Sequence, residues 1–455
     1  MSDYEETRAL DRLAAFENSV ARHQLPSGSP GLQLAGSVLL PGLPTLRRRP
    51  LIGIVLALLG VFLPFVLVAW AFKNRDDLVG FALDPQFLTA VIGVCLTLVV
   101  VRYLAVAEVA HYFRRSPLIG VKTVIAALIV TGLAVPVVFA AWQANGARAM
   151  VADVFAGGST ESLFTPDTAT DPNAVTNVLL LGGDAGPGRW GMRTDTMIIV
   201  SIHEASGRTA LVSVPRNLVN LQFPPGSPMA DEFPDGYRDG SGSLTNAIFT
   251  FVDGRDDLLA HYSAGGLEPH AVALSEGIGY SLGIEIDDYA LVNMQGFAEV
   301  VDAVGGVTLD VPERVPLPPQ SGCQVPGTVG PGPVSMDGCL AIAYVRSRSA
   351  DSDYQRMQRQ RQLLAALGSQ VSPTDALSAF GSVTGVLGDS MRTSLTAGEF
   401  SSLLDRLGDN TAIGESIGLA PPLINPGNPD WAQIKAIIDA VENYVLTGTP
   451  SGFAS

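Results

Sequence analysis

Three long apolar segments in the first third of the chain constrain its fold more than any other feature. The first extends from Leu51 to Phe72, the second begins near Phe87, and the third covers about Val121 to Trp142. A helix needs roughly 20 apolar residues to cross a bilayer, whereas a cleavable signal peptide is shorter and lies at the N-terminus. The sequence therefore predicts an integral membrane protein, anchored by three transmembrane helices within residues 47–142.

Basic residues in the short loops predict which side of the membrane each end of the chain faces. The cluster Arg47 to Arg49 precedes the first span, and Arg114 and Arg115 lie between the second and third spans. Short loops rich in Lys and Arg remain cytoplasmic. We therefore expect a multi-pass protein of the cell membrane with a cytoplasmic N-terminus, and an extracytoplasmic domain that follows Asn145.

The charge of the chain restricts its ligands. The net charge is −16 at pH 7, and proteins that bind nucleic acid by bulk electrostatics need a basic surface. We therefore expect no nucleic-acid partner. An anionic ligand of this protein must instead meet a local cluster of basic side chains.

Two of the three cysteines lie in the region that we place outside the membrane. Cys95 falls in the second predicted span, while Cys323 and Cys339 flank a Gly/Pro-rich segment. Thiols tend to oxidise in extracytoplasmic compartments. We predict a Cys323–Cys339 disulfide, and the alternative is that both are unpaired small residues.

The rest of the sequence divides into segments of different composition. Residues 1–46 form a polar arm with a helical pattern from Glu5 to Val20 and a Pro/Gly-rich end, so we expect a mostly disordered cytoplasmic segment. Residues 143–176 are small and polar and are predicted to form a stalk. We expect a folded core over 177–370 and further helices over 371–455 that complete the same domain.

Short apolar runs alternate with amphipathic stretches through this domain. The pattern predicts strands at 178–181, 197–202, 210–214, 289–292, 307–311 and 341–345. It predicts helices at 258–282, 294–304, 355–367, 376–387, 397–407 and 431–444. Because both short turns and helices join the strands, we predict an α/β sandwich around a mixed sheet.

Two acidic residues and an arginine are expected at one edge of this sheet. The segment GGDAGPGRWGMRTD, between the first two strands, is too glycine-rich for a crossover helix, so these strands should be antiparallel. Asp184 then follows one strand where Asp195 precedes the next, and the hairpin after the second strand returns Arg216 to the same edge. Paired carboxylates without a nearby histidine suit Mg²⁺, or Mn²⁺. The alternative is that both acids cap turn N–H groups.

A second cluster of basic residues lies further along the chain. In the predicted strand that begins at Ala341 and its continuation, alternate residues share one face: Ile342, Tyr344, Arg346 and Arg348. In the helix that follows, positions i, i+3 and i+4 share a face: Arg356, Arg359 and Gln360. Guanidinium groups bind phosphate oxygens bidentately, so the cluster suits pyrophosphate. The alternative is an exposed face whose arginines pair with Asp351 and Asp353.

These residues fall within motifs that resemble a known family. The runs NVLLLGGD, RTDTM, SVPRN, LTNA, DDYALVNMQGFAEVVDAVGGVTLDVP and LAIAYVRSRSADSDYQRMQRQRQLL follow one another between residues 177 and 364. In this order they resemble the motifs of the LytR-CpsA-Psr family. The resemblance implies an α/β fold with a long apolar tunnel for a polyprenyl chain. It also implies an enzyme that transfers a glycopolymer from polyprenyl pyrophosphate to peptidoglycan.

The resemblance also assigns roles to individual positions. Asp184 and Asp195 match acids that are associated with Mg²⁺ in the family. Other positions match its phosphate-contacting residues, namely Arg193, Arg216, Arg346, Arg348, Arg356 and Gln360. Arg359 matches a further motif arginine, which we include in the predicted pyrophosphate-binding set. Within these sets, Asp184, Asp195, Arg216 and Arg346 are the predicted catalytic residues.

Three positions depart from the family pattern. Gly183 replaces the usual serine, Gly186 replaces an arginine, and Asn217 replaces an aspartate. We expect weaker metal binding or slower turnover unless another residue compensates, and Arg189 is a candidate.

Two further functions remain open at this point. One is a polyprenyl-phosphate-binding regulatory protein without catalysis, and the other is hydrolysis of a polyprenyl-pyrophosphate glycan. The sequence does not identify the glycan, and arabinogalactan, a teichoic-type polymer and capsule are alternatives.

Overall fold

The structure is a computed structural model that describes residues 29–73, 81, 84–116, 118–155, 174–183, 194–239, 243–320, 323–348, 352–372, 390–407 and 413–454. The chain divides into two compact units. We call residues 1–78 with 86–145 the anchor unit, and residues 79–85 with 146–455 the α/β unit.

The anchor unit contains a short helix and the helices predicted to cross the membrane. The short helix is α1, Pro30–Leu39. The long helices are α2, Pro50–Lys73, α3, Pro85–Tyr112, and α4, Ile119–Val154. By length and composition, three helices among the described residues can span a bilayer, as predicted. Arg102 within α3 donates a hydrogen bond from Nη1 to the Leu98 carbonyl at 3.3 Å.

The segment before the first span is ordered, so the prediction of a mostly disordered arm is wrong for residues 30–46. Pro30 stands in the first turn of α1, where proline is tolerated because its missing N–H needs no partner. Leu34 and Val38 are buried against α3 and α4. The Pro/Gly content that suggested disorder serves a helix start and a turn instead. The predicted helix from Glu5 to Val20 lies outside the described residues.

The α/β unit is built on a mixed sheet, as predicted. Its strands are β1, Val175–Gly183; β2, Thr194–His203; β3, Thr209–Ser213; β4, Asp288–Asn293; β5, Val307–Val311; β6, Val315–Pro316; β7, Thr328–Val329; β8, Gly332–Met336; β9, Met391–Thr393; and β10, Ile413–Gly418. The main sheet has the order β10-β3-β2-β1-β4-β9. The pairs β1–β2 and β2–β3 are antiparallel, whereas β1–β4 and β3–β10 are parallel.

Helices pack on both faces of this sheet. They are α5, Pro228–Glu232; α6, Ala247–Asp253; α7, Asp256–Tyr262; α8, Pro269–Leu282; α9, Met294–Ala303; α10, Gly338–Arg346; α11, Asp353–Gln370; α12, Ala397–Leu407; and α13, Trp431–Thr447. Alternation along β1 separates the two faces: Leu179 packs in the core with α8 and α13, and Val178 packs against Leu403 of α12. The arrangement is the predicted α/β sandwich.

Two predicted elements differ from the structure. The strand predicted at 341–345 is helix α10, which begins where the Asp337 carboxylate accepts a hydrogen bond from the Leu340 N–H at 2.8 Å. A short apolar run that is buried on all sides has no period to distinguish a strand from a helix. The helix predicted at 258–282 is interrupted between α7 and α8, where Gly265 and Gly266 take positive φ angles. The predicted helix at 376–387 lies outside the described residues.

A disulfide joins Cys323 and Cys339 in the α/β unit, with 6.4 Å between their Cα atoms. Cys339 lies in the first turn of α10, and Cys323 lies in the segment between β6 and β7. The bond therefore ties that segment to the helix that carries Arg346.

A buried carboxyl group at the start of β4 couples the stability of this unit to pH. Burial raises the pKa of Asp288 to about 7, although the Ser394 hydroxyl donates a hydrogen bond to it at 2.7 Å. The folded state thus holds a proton that the unfolded chain releases near pH 4. Stability is complete below that pH and decreases as the pH rises toward 7, because the folded state binds more protons than the unfolded state.

We expect Asp288→Asn to reduce this loss by on the order of 2 kcal/mol. Denaturant unfolding of the purified chain between pH 4 and pH 8 measures the effect. The same substitution at Asp310, which is exposed on β5, should leave the pH dependence unchanged. An Asp288→Asn variant with the original pH dependence contradicts the assignment.

Candidate active site

A cavity of about 580 Å³ opens where the parallel strands β1 and β4 end. Its apolar wall includes Leu180, Ala290, Val292, Phe297, Ile342, Leu363 and Leu364. Its polar lining includes Asp195, Thr196, Asn293, Gln320, Arg346, Arg348, Arg356 and Gln360. One cavity therefore joins an apolar surface to a group of cations. Leu363 and Leu364, which the helical pattern assigns to the core, belong to this wall.

Glycine is required where β1 enters the cavity. A Cβ atom on Gly182 would lie 2.8 Å from the Cβ of Thr196 on the neighbouring strand, closer than packed carbon atoms approach. This close approach brings Thr196 and Asp195 beside the end of β1, as the antiparallel pairing predicted from sequence requires.

Asp195 is the point on which the basic residues converge. Its Oδ1 accepts a hydrogen bond from Arg216 Nη1 at 2.7 Å, and its Oδ2 accepts one from Arg348 Nη2 at 3.0 Å. Arg356 Nη2 donates to the Asp195 carbonyl at 3.0 Å. Burial alone would raise the pKa of the carboxyl, but the hydrogen bond and charge of Arg216, with the charges of Arg356 and Arg348, lower it below its usual value. Asp195 is therefore ionised.

A second carboxylate, which the sequence reasoning did not place in the site, holds the same arginines. Asp353 Oδ2 accepts hydrogen bonds from Arg216 Nε at 3.2 Å and from Arg356 Nη2 at 3.3 Å. Burial lowers the pKa of Arg356 to about 10, so it stays protonated at neutral pH. Arg356 is 2% exposed, which rules out the alternative of an exposed, salt-bridged face for this residue. The i, i+3 spacing of Asp353 and Arg356 was the available signal.

Arg346 and Arg348 both line the cavity, although the strand that would have aligned them is absent. Arg346 ends helix α10, and its Nη1 lies 3.4 Å from Gln320 Oε1. Between them Ser347 is buried: its hydroxyl donates to the Pro316 carbonyl at 2.5 Å. Ser347 is held in place between the two arginines. Both arginines therefore reach the cavity without the alternation of side chains along a strand.

Arg359 is not among the residues that line the cavity, and its place in the pyrophosphate-binding set stays a prediction. It is 5% exposed, and its Nη2 donates to the Ser347 carbonyl at 2.6 Å. Its guanidinium group also lies 5.9 Å from the ring centroid of Tyr344. Arg359 therefore supports the residue between Arg346 and Arg348.

The other predicted positions lie at the cavity, lie beside the arginine cluster, or fall outside the described residues. Gln360 donates from Nε2 to the Thr196 hydroxyl at 2.8 Å and lines the cavity. Asn217 donates from Nδ2 to the Tyr354 hydroxyl at 3.2 Å, so this departure from the family pattern lies beside the arginine cluster. The structure does not describe the residues 184–193 or 351, which include Asp184, Gly186, Arg189, Arg193 and Asp351.

Of the two acids that the family resemblance associates with Mg²⁺, Asp195 is among the described residues. Among them, no group of three or more His, Cys, Asp or Glu residues is arranged to hold a metal. Asp195 has the oxygen donors that Mg²⁺ prefers, and its lowered pKa keeps them ionised. Three guanidinium groups within 4 Å repel a cation, however. The donor type fits Mg²⁺, and the surrounding charge favours a cation that is accompanied by an anion.

Comparisons with known proteins agree with the motifs. The sequence model of the LytR_cpsA_psr family matches residues 156–414. The polyisoprenyl-teichoic acid–peptidoglycan teichoic acid transferase TagU of Oceanobacillus iheyensis is 30% identical over 231 residues, covering 50% of this chain and 61% of that protein. The probable cell wall biosynthesis protein LcpB of Corynebacterium glutamicum is 30% identical over 237 residues, covering 48% of this chain and 47% of that protein. The match thus spans about half to three fifths of these relatives.

Solved structures are also similar to the chain. Bacillus subtilis TagV aligns with a TM-score of 0.42 and 22% identity, covering 61% of this chain and 98% of that structure. TagT bound to LI-WTA aligns with a TM-score of 0.40 and 22% identity, covering 64% and 98%.

We expect Asp353→Asn to destabilise the α/β unit by about 1–3 kcal/mol, because Arg356 stays buried without its carboxylate partner. Thermal or denaturant unfolding of the purified chain measures the loss. Asp439→Asn, at an exposed position of α13, serves as the control and should change stability little. Equal stability of the two variants would show that Asp353 does not support the arginines.

Proposed function

This chain belongs to the LytR_cpsA_psr family, and from that membership we propose that it transfers a glycopolymer from polyprenyl pyrophosphate to peptidoglycan. Relatives such as TagU carry names that describe transfer of polyisoprenyl-linked teichoic acid to peptidoglycan. The observation that carries the proposal is the cavity itself, because a polyprenyl pyrophosphate has an apolar chain next to an anionic group. The apolar wall suits the chain, and the arginines suit the pyrophosphate.

The local charge supports an anionic substrate. Arg216, Arg348 and Arg356 pair with two carboxylates, Asp195 and Asp353. Arg346 adds a further cation to the lining of the cavity. The cluster thus carries more positive than negative groups, in a chain whose net charge is −16. Guanidinium groups remain charged at any physiological pH and bind phosphate oxygens through two donors at once.

In the proposed reaction, a hydroxyl oxygen of the acceptor forms a bond to the phosphorus that carries the glycan. The bond from that phosphorus to the bridging oxygen breaks, and polyprenyl monophosphate leaves. Arg346, Arg348 and Arg356 stabilise the charge that develops on the leaving group. Mg²⁺ held by Asp195 and Asp184 would supply further positive charge to the phosphate oxygens.

The proton of the acceptor hydroxyl needs a base at the same rim. Asp195 is ionised and 26% exposed, so it is accessible, but its lowered pKa makes it a weak base. Its larger role is to hold Arg216 and Arg348 in place. We assign proton transfer to Asp195 or Asp184.

We also propose that the α/β unit faces the outside of the cell membrane and that the N-terminus is cytoplasmic. The basic residues Arg47 to Arg49, Arg114 and Arg115 support this orientation. The Cys323–Cys339 disulfide supports it as well, because disulfides persist in oxidising compartments.

An assay with the full chain, a synthetic polyprenyl-pyrophosphate glycan, Mg²⁺ and a peptidoglycan fragment separates the possible activities. A glycan–peptidoglycan adduct means transfer, free phosphorylated glycan means hydrolysis, and intact lipid that stays bound means a binding protein. Donors carrying arabinogalactan-type, teichoic-type or capsule-type glycans, compared in parallel, identify the polymer. Repeating the assay with a chelator tests the metal.

We expect Arg346→Ala and Arg216→Ala to abolish turnover in this assay. Arg346→Ala removes a charge that stabilises the leaving group, and Arg216→Ala removes the cation that pairs most closely with Asp195. Arg314→Ala removes an exposed arginine between β5 and β6 and should leave turnover unchanged. Unfolding curves confirm that each variant is folded. Normal turnover by a folded Arg346→Ala variant contradicts the proposed arginine site.

The contacts of Arg359 predict that it affects ligand binding indirectly, by holding Ser347 in place between Arg346 and Arg348. We expect Arg359→Lys to weaken binding of farnesyl pyrophosphate about tenfold, because lysine cannot reproduce the planar donor that fixes Ser347. In a variant that lacks Arg346 and Arg348, the same substitution should have no further effect. Isothermal titration measures both.

The matched control is Arg361→Lys, which changes an arginine of equal burial on the same helix. Arg361 is 3% exposed and donates from Nε to the Ser416 hydroxyl at 2.8 Å, on the side of β10. This variant should lose stability and keep its affinity. A further loss of affinity from Arg359→Lys in the doubly substituted background would indicate direct contact with the ligand.

A further inference from the structure

The segment that precedes the first membrane span has an apolar composition that water does not favour. From Pro30 to Leu46 it contains no charged residue. One side of α1 is buried, with Leu34 and Val38 packed against α3 and α4. The other side carries Leu32, which is 74% exposed, and Leu39, which is 70% exposed. A helix that is apolar all round is surrounded by protein or by lipid.

The turn after α1 reaches far along the first span. A Cβ atom on Gly60 would lie 2.8 Å from the Cβ of Pro41 and 3.0 Å from Val101 of α3. Gly60 is ten residues beyond Pro50, so Pro41 lies about 15 Å along α2 from its start. That distance is half of the roughly 30 Å hydrocarbon core.

From Pro41 the chain returns to the start of α2. A Cβ atom on Gly53 would lie 2.6 Å from the Leu46 nitrogen, and the Thr45 hydroxyl donates to Glu108 near the end of α3 at 2.8 Å. Arg48 then stacks 3.8 Å from the ring centroid of Tyr112. The polar contacts therefore gather where α2 begins and α3 ends.

Helix α1 extends over the same depth as the return from Pro41 to Pro50, with the chain running the other way. Its ten residues rise about 15 Å, which equals the distance from Pro50 to Gly60. Its buried residues pack in one cluster with Val106 and Val109, which lie between Val101 and the end of α3, and with Phe113, the residue after α3. The N-terminus of α1 is therefore near the end of α3, and its C-terminus is near the middle of the span.

The backbone of the turn meets the main requirement for this depth. Lipid offers no hydrogen-bond partners, so irregular backbone within a bilayer must satisfy itself. The N–H groups of Leu40, Leu43, Thr45 and Leu46 donate to carbonyls of Gly36, Leu40 and Gly42. The two prolines, Pro41 and Pro44, have no N–H group to satisfy.

We propose that residues 30–48 form a re-entrant hairpin that enters one leaflet of the bilayer, turns at Pro41 and leaves on the side it entered. The outer face of α1, with Leu32 and Leu39, contacts the acyl chains of bilayer lipid. This occupant follows from continuity with the exposed apolar faces of the spans, such as Leu128, which is 65% exposed, within the same unit. The hairpin therefore adds a segment that enters half of the bilayer. This segment lies next to the first of the three helices that cross it fully.

Depth measurements on the full chain in lipid nanodiscs test the proposal. Cys323 and Cys339 are bonded, so Cys95→Ala gives a background without a free thiol. Single cysteines then replace Leu32, Leu39 and the exposed Arg47, each labelled with a fluorophore that nitroxide lipids quench. We expect the depth order Leu39 deeper than Leu32, and Leu32 deeper than Arg47.

Reaction with an aqueous maleimide gives an independent readout. Labelling of Leu39→Cys should be about tenfold slower than that of Arg47→Cys, since the reactive thiolate is disfavoured in hydrocarbon. Leu128→Cys, on a span, is the control for a lipid-facing position. All positions that receive a cysteine are exposed, so these substitutions need no repacking.

Three outcomes would overturn the proposal. Equal depth at Leu32 and Leu39 would mean a helix that lies along the surface. Rapid labelling of both cysteines would mean that this face is in water. Protection without quenching by lipid would mean that protein covers it, and a disulfide between two Leu39→Cys chains would identify a second copy.

Discussion

The carboxylate of Asp195 is bound by arginines that come from three separate parts of the chain. Arg216 follows β3, Arg348 follows α10, and Arg356 lies in the first turns of α11. Asp195, Arg216 and Arg348 are partly exposed, so solvent weakens their ion pairs, whereas Arg356 is buried and loses more when its partner is removed. All three arginines meet at this one carboxylate, and Asp353 holds Arg216 and Arg356 as well. The order of the whole rim, and with it the entrance of the cavity, follows from this interaction.

Placing several arginines close together costs electrostatic energy, and the nearby carboxylates offset only part of that cost. Burial lowers the pKa of Arg356 to about 10, and the charges of Arg216 and Arg348 act in the same direction. Asp195 and Asp353 offset some of this repulsion. An anion that binds among the arginines supplies the remaining compensation, so the site is arranged for a charge that the protein itself does not provide.

The sequence predicts much of this arrangement where the pattern is unambiguous. Short apolar runs predict β1, β2 and β3. The glycine-rich connection correctly predicts the antiparallel pairing of β1 with β2, and the hairpin correctly predicts that of β2 with β3. The pattern fails for α10, because a helix that is buried on every side loses its period. It fails for α1, because the proline and glycine that mark disorder in water also mark a turn packed among membrane helices.

The residues of the site could be predicted from the sequence, but the separate role of each residue could not. The predicted arginines Arg216, Arg346, Arg348 and Arg356 do converge. Arg216 follows β3, and the last motif places the other three at a helix end, in a loop and on the next helix. Sequence spacing puts Arg359 on the same helix as Arg356. Whether a side chain points into a cavity or into the protein depends on tertiary packing, and Arg359 points toward Ser347. Asp353 was missed because an acid in a charged run is normally solvated.

The contacts that build the cluster join residues far apart in the chain. Asp195 and Arg348 are separated by 153 residues, and Thr196 and Gln360 by 164. Closing loops of this length is slow, and such contacts form late in folding. A partly folded chain therefore has arginines without an assembled anion site. Affinity for the proposed lipid substrate would then be confined to molecules that have completed their fold, and bound substrate would in turn stabilise that state.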